Sequence, residues 1–336
     1  MRPLHDFIRV GSVERSHHSS FFLLNLSCSS ENCLTLAIVL QNVRIVVTGG
    51  SGQLGSFVIE EIVSRHDVVS VDLLPPTIEV GQVHFQGDIR DRDAMLEACK
   101  EADAVIHLAA QVSVVRSTED PVMDLDVNVG GTLNMLTAAL ERDVPLFVHI
   151  STAAVYGDPV ALPIDEDHPT SPKSFYGTSK LSGEHYVRAF KESFDLDHII
   201  LRPFNMYSPR ADPSSPYSGV ITRFVENARN GLPLRVDGDG EQTRDFIHAR
   251  DVATMISRCL DTSVRNVTIN GASGHGTSVN QIVEAVISAS PRQVTVEHGP
   301  PRIGDIRHSV GDDSRARELL DFLPSIDLDR GIADFF

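Results

Sequence analysis

Tyr176 and Lys180 stand four residues apart in Phe175-Tyr176-Gly177-Thr178-Ser179-Lys180. On a helix that spacing puts both side chains on one face. A free phenol, with a pKa of ~10, is a poor base at neutral pH. An ammonium beside it favours the phenolate and lowers that value. Such a pair can take a proton from a substrate hydroxyl. Upstream, Ser151-Thr152-Ala153-Ala154-Val155-Tyr156-Gly157 closes an apolar run. Thr152 could hydrogen-bond the reacting hydroxyl, or it could simply cap a turn at a strand end. Tyr and Lys at this spacing also occur on many helices without chemistry, so the pair needs independent company.

That company is a glycine loop. Thr48-Gly49-Gly50-Ser51-Gly52-Gln53-Leu54-Gly55 follows a short β-branched run and opens a helical pattern. Gly49 permits a tight turn, Gly52 lets a diphosphate approach the backbone, and Gly55 lets helix and strand pack closely. The helix start then offers free N–H groups to phosphates. Asp72 closes the second strand-like run, 17 residues beyond Gly55. A carboxylate there accepts from ribose hydroxyls and repels a 2′-phosphate, which selects NAD over NADP. Its ordinary alternative is a solvated acid in a β–α loop. Asp88 and Ile89 follow a further short run; they could hold the adenine, although Asp88 alone reads as a turn residue. With NAD in place, Tyr176 could take a hydroxyl proton while hydride leaves the same carbon, and Lys180 could also hold the nicotinamide ribose.

Stepping outward from these groups, strand and helix alternate. Strands are predicted at Val43–Val47, Val68–Val71, Ala104–Leu108 and Leu146–Ile150. Helices are predicted at Leu54–Arg65, Ala94–Glu101, Val129–Arg142 and from Phe175 to about Phe194. Such βαβ spacing predicts an α/β fold, a doubly wound parallel (Rossmann) sheet. After residue ~205 the alternation becomes less regular, with Pro209, Pro213 and Pro216 in a polar loop and helices near Val220–Arg229, Val252–Leu260 and Val279–Ser288. This part is expected to be a smaller C-terminal α/β substrate-binding cap. The expected organisation is an extension over 1–41, an NAD-binding domain over 42–205, and a cap over 206–336 interleaved with it.

Composition sets the outer limits. The 336 residues are 41% hydrophobic and 22% charged, with a formal net charge of -17. That is a globular composition, and the negative charge argues against nucleic acid or anionic membrane as partner. An anionic substrate would need a local cluster of arginines. Cys28, Cys33, Cys99 and Cys259 form no C-x-x-C pair, and no His cluster has metal-ligand spacing, so no metal is expected. A reduced cytoplasmic setting fits this usage, and no apolar stretch reaches the ~20 residues of a membrane span. Residues 1–41 carry Phe21-Phe22-Leu23-Leu24 after a polar run; a disordered extension or a misplaced start is preferred over a signal peptide, since no clear cleavage site follows.

Several stretches together resemble the extended short-chain dehydrogenase/reductase family, the NAD-dependent sugar-nucleotide epimerases and dehydratases. They are the glycine loop, His107-Leu108-Ala109-Ala110, the Ser/Thr strand end, the Tyr–Lys pair, Leu201-Arg202-Pro203-Phe204-Asn205, the run Gly238 to His248, and Pro301-Arg302-Ile303-Gly304-Asp305. The resemblance covers Val43 to Phe336. It implies cofactor contacts at Gly49, Gly52, Gln53, Leu54, Gly55, Asp72, Asp88, Ile89, Leu108, Ala109, Ala110, Pro203, Tyr176 and Lys180. It implies that Asn128, also counted among the cofactor contacts, orders the strands near the site. It also implies substrate contacts at Ser113, Thr152, Asn205, Val220, Arg244, Arg302 and Asp305. Two arginines from distant segments would supply the positive field that the net charge lacks.

Family members that eliminate water, and the related decarboxylases, carry an acid between the Ser/Thr and the next tyrosine; here those positions are Ala153, Ala154 and Val155. The cysteine of the members that perform 3,5-epimerisation is also absent there. The resemblance therefore implies 4-epimerisation of a UDP-hexose, UDP-glucose/UDP-galactose first, by transient oxidation at C4. N-acetylated UDP-hexoses, UDP-uronic acids and a non-catalytic NAD-binding regulator are the alternatives. Pro203 and Ser208 depart from the usual aromatic residue and glycine. The family also implies a homodimer, through helices expected near Asp93–Cys99 and Leu181–Phe190.

Overall fold

The structure, a computed structural model, describes residues 21–23, 38–40, 42–213, 219–302 and 306–336. Most of the first 41 residues, and with them both readings of that segment, lie outside the described residues. Two short strands there, β1 (Phe21–Leu23) and β2 (Ile38–Leu40), pair antiparallel.

The main unit alternates strand and helix. It runs β3 (Arg44–Thr48), α1 (Gln53–Ile62), β4 (Asp67–Asp72), β5 (Val83–Gln86), α2 (Arg92–Ala98) and β6 (Ala104–His107). It continues with α3 (Val114–Glu119), α4 (Pro121–Leu125), α5 (Gly131–Glu141), β7 (Leu146–Ile150), α6 (Phe175–Phe194) and β8 (Asp197–Pro203). The chain then leaves through β9 (Asn205–Tyr207), α7 (Val220–Asn230), β10 (Leu234–Asp237) and β11 (Thr243–His248), and returns through α8 (Ala249–Leu260) to β12 (Val267–Gly271). It ends with β13 (Gly276–Ser278), α9 (Val279–Ala289), β14 (Val296–Gly299), β15 (His308–Ser309), α10 (Ser314–Leu320) and α11 (Leu328–Ala333).

Seven strands form one parallel sheet in the order β5-β4-β3-β6-β7-β8-β12. The order reverses between β3 and β6, which opens a crevice at their carboxyl ends. The central strands are apolar on both faces because helices cover both. On one side Phe57, Ile59, Val252 and Ile256 bring α1 and α8 onto the sheet. On the other, Met95, Met135, Leu136 and Val187 bring α2, α5 and α6. α8 and β12 thus belong to the large unit although they follow residue 205. The cap has its own core, with Ile221, Phe224, Val236, Ile282, Val286 and Ile332.

Local chemistry moves several helix ends. α2 starts earlier than its apolar pattern because Asp91 accepts from Ala94 N at 3.1 Å. Glu101, at φ 59°, lies beyond its end. α8 also starts early, with His248 accepting from Arg250 N at 3.2 Å. The helix expected from Val129 is preceded by α4, which Asp120 caps and Pro121 starts, and by a π-helical turn over Asp126–Gly130. Such turns are rare and commonly sit at functional sites.

His107 and His149 lie side by side in β6 and β7, with ring centroids 5.7 Å apart. Burial holds His107 down at about 3 and His149 well below its ordinary value. His107 meets Thr48 and Thr132 hydroxyls at 2.8 and 3.1 Å, whereas neither ring nitrogen of His149 has a partner among the described residues. The unfolded chain therefore binds protons below pH 6.5 that the folded chain refuses, so stability falls as pH drops through 6.5. Urea unfolding should show a loss on the order of 2 kcal/mol over the first pH unit below that point. His149→Leu should shrink that loss, and an unchanged pH slope in the variant would contradict this origin.

Candidate active site

The glycine loop joins β3 to α1 at the crevice. Gly49 has φ +72°, and a Cβ there would lie 2.8 Å from Ala109 N. A Cβ on Gly55 would sit 2.1 Å from Gly49 O, so the helix meets the loop only because residue 55 is glycine. Gly52 is exposed and caps α1 without a side-chain hydrogen bond, and no acid stands in the first turn. The N–H groups of α1 therefore lie open to an anion. Asp72 receives Ser51 N and Leu74 N, each at 3.0 Å, which fixes its carboxylate beside the loop. Thr48 Oγ1 accepts from Leu108 N and Ala109 N at 3.2 and 3.1 Å and so ties β6 to the loop. Ala110, next along, is half-buried.

Four further residues singled out from sequence have these contacts within the protein. Leu54 points into the core. Asp88 holds Arg90 at 2.6 Å, and that hydrogen bond keeps its carboxyl below the usual range. Ile89 is buried against Gly131. Pro203 ends β8 and packs on Gly271.

Tyr176 and Lys180 lie one turn apart in the first turns of α6, which Ser174 caps through Gly177 N at 3.0 Å. Lys180 is 3% exposed, and burial lowers it to about 8, against the opposing fields of Glu184 and Asp124. Burial pushes the Tyr176 phenol up to about 12, a hydrogen bond with Thr152 works the other way, and Asp124 adds to the rise. Desolvation of the phenolate is the largest of these effects. Thr152 also caps the short turn Ala153–Val155, accepting from Ala154 N at 3.2 Å.

A buried ion pair holds these pieces together. Arg202 donates to both oxygens of Glu184 at 2.8 and 2.7 Å, with side chains 4% and 0% exposed. Burial alone would raise the Glu184 carboxyl, but Arg202 outweighs it and holds the group below its usual range. Ser151 donates to the same carboxylate at 2.6 Å, next to Thr152.

Asn128, on the π-helical turn, is fully enclosed. It accepts from Gln111 N at 2.8 Å and donates to Asp124 Oδ1 and Ser179 Oγ at 3.1 and 3.0 Å. Ser113 caps α3 through Arg116 N at 3.1 Å, one helix away.

A cleft of about 1090 Å³ lies between the glycine loop and the cap. Gly52, Gln53, Asn205, Val220, Arg244 and Arg302 all line it. Tyr176, Lys180, Thr152 and Ser113 are not among its lining residues, although Val112 is. Asn205 donates to Asp245 O at 2.8 Å, Arg244 to Thr243 O at 2.9 Å, and Arg302 to Asp237 at 2.6 Å. Asp305 lies outside the described residues. Arg210, Arg223 and Arg235 also line the cleft. Sequence reasoning missed all three, although Arg223 stands three residues after Val220 on α7. It also missed the contact that Ser208 makes: its hydroxyl accepts from Gln53 Nε2 at 3.0 Å, joining the cap to the glycine loop. Among the described residues no cluster has the ligands for a metal ion, and no helix is long and apolar enough to cross a membrane.

The sequence profile of the NAD dependent epimerase/dehydratase family matches residues 45–270. A UDP-glucose 4-epimerase of Mycolicibacterium smegmatis is 35% identical over 303 residues, spanning 86% of this chain and 96% of that protein. Among solved structures, a UDP-N-acetylglucosamine 4-epimerase from Methanobrevibacter ruminantium, in complex with UDP-N-acetylmuramic acid, superposes with a TM-score of 0.82 at 30% identity, covering 88% of this chain and 99% of that one. The Thermus thermophilus UDP-glucose 4-epimerase in complex with NAD gives 0.78 at 33% identity, covering 86% and 96%.

Replacing Glu184 with Ala should cost about 3–5 kcal/mol, because it strands the Arg202 charge in the interior. Urea unfolding of the variant checks this. A loss below ~1 kcal/mol, the range of an exposed pair, would mean that water reaches Arg202.

Proposed function

Because the chain belongs to the NAD-dependent epimerase/dehydratase family, we propose that it interconverts UDP-glucose and UDP-galactose by transient oxidation at the sugar C4. The observation that carries this is the hydrogen bond between the Tyr176 phenol and Thr152, on a helix that buries Lys180 one turn further on. Ala153, Ala154 and Val155 offer no carboxylate for elimination.

The residues present fit NAD. The α1 N-terminus, with Gly52 open and no acid in its first turn, would take the diphosphate. Asp72, fixed by two backbone N–H groups, would take the adenosine ribose. Ala109 and Ala110 stand where the cofactor crosses the crevice, and Lys180 would hold the nicotinamide ribose. Bound NAD supplies a hydride acceptor at C4 and a positive ring whose field favours the Tyr176 phenolate. Tyr176 then takes the 4-hydroxyl proton, and Thr152 holds that hydroxyl in line. On return, the Tyr176 phenol would give its proton back to the C4 oxygen of the 4-keto sugar, whichever face is then presented.

Binding groups far from C4 hold the nucleotide while the sugar turns. Arg244 and Arg302 are assigned to the diphosphate and ribose, with Asn205, Val220, Ser113 and Asp305 as further contacts. Arg302 pairs with Asp237 in this structure, so binding an anion requires it to share or exchange that partner. A UDP-N-acetylhexosamine is the second reading, favoured by the N-acetylglucosamine epimerase whose fold this chain shares.

We also assign a homodimer. Val122 and Leu125 on α4 and Tyr186 on α6 are exposed. The expected faces are α2, which turns Met95 and Ala98 inward and shows charge outward, and α6; the exposed residues of α4 add to them. A reduced cytoplasmic setting suits the free, buried Cys99 and Cys259.

Tyr176→Phe should lower turnover about 10²–10⁴-fold while NAD still copurifies. Near-parental turnover of UDP-galactose would overturn the role of Tyr176.

A further inference from the structure

Asp124 lies on α4 and is 1% exposed. Both of its hydrogen bonds converge on Oδ1, from Gln111 Nε2 at 2.9 Å and Asn128 Nδ2 at 3.1 Å. Both donors are neutral amides, so neither cancels its charge. The same Asn128 amide reaches Ser179 Oγ at 3.0 Å, and Ser179 in turn donates to Tyr176 O at 3.0 Å. A chain of hydrogen bonds therefore runs from Asp124 through the π-helical turn to the backbone of Tyr176. Gln111 extends the hub to the loop after β6 by donating to Ser113 O at 2.9 Å.

We propose that Asp124 is a positioning residue for the tyrosine–lysine pair, anchoring the first turn of α6 through Asn128 and Ser179 and serving, with Glu184, as a counter-charge of the Lys180 ammonium. This rests on the roles given above to Tyr176 and Lys180. The groups facing the pair can be named from each element. Glu184 stands one turn beyond Lys180 on α6, but Arg202 and Arg188 already match its charge. His107 from β6 and His149 from β7 feel the lysine and are held neutral by burial. Thr152 and Ser117 bring hydroxyls to the Tyr176 phenol and N–H. Asp124 is the carboxylate whose contacts are all uncharged. The fields of Glu184 and then Asp124 favour the ammonium, and that of Asp124 also opposes the phenolate.

Asp124→Asn tests this, because an amide oxygen can keep both hydrogen bonds while the charge goes. In the NAD-loaded protein, the tyrosinate absorbance of Tyr176 is taken as the difference between each protein and its Tyr176→Phe counterpart. Its midpoint should fall by roughly one pH unit in the variant. The pH profile of kcat/KM should move the same way at both limbs. A merely structural role would lower activity at every pH and leave the midpoint in place, which would overturn the counter-charge. The spectroscopic shift needs no turnover, so a wrong substrate is seen separately, as inactive parental enzyme with an intact shift. If the amide variant does not fold, Asp124→Glu keeps the charge and should keep the parental limbs with a lower plateau; limbs moved to acid in that variant would overturn the proposal.

Discussion

The bidentate contact between Glu184 and Arg202 is the constraint on which the site depends. It joins α6 to β8 at the point where the chain leaves the sheet for the cap. Through Ser151 it also reaches the end of β7, next to Thr152. Tyr156 extends it further, since its hydroxyl accepts from Arg202 Nη1 at 3.0 Å and donates to Asn270 on β12 at 2.7 Å. Three strands and one helix thus share a single buried charge pair. Its geometry tolerates little play, because an unmatched charge at that depth is costly. Tyr176 and Lys180 inherit that rigidity from the same helix.

A second constraint is electrostatic. The whole chain carries a net charge of -17, yet Arg210, Arg223, Arg235, Arg244 and Arg302 line one cleft. A local positive lining in a negative molecule favours anions there and nowhere nearby. Asp237, which holds Arg302 across the cleft wall, tempers that field. Arg210 also has a mechanical role: it bonds Glu60 at 2.7 Å and lies over the Phe57 ring at 3.8 Å, fastening the loop after β9 to α1. Cofactor and substrate halves are therefore tied by Arg210 and by Gln53 with Ser208.

Sequence periodicity located the elements well because burial on both faces leaves long apolar runs. The helix from Phe175 to Phe194, with Tyr176 and Lys180 on one face, was legible to both ends. The glycine loop was legible because each glycine answers a specific steric demand. The start of α4 and the π-helical turn were not, since the apolar pattern of Val127 to Leu136 fits an ordinary helix equally well. Asp124 stayed hidden for a related reason: its partner Gln111 meets it only after the loop that follows β6 packs. The rise at Tyr176 was missed because spacing carries no information about desolvation. The bond from Gln53 to Ser208 spans 155 residues, and no local pattern announces such a contact.

A 4-epimerase moves hydride out of and back into one sugar without external cofactor. NMR of the purified protein with UDP-galactose and no added NAD measures this directly. UDP-glucose should appear and approach the same final ratio reached when UDP-glucose is the starting material. Unchanged UDP-galactose from protein that carries bound NAD would contradict the account.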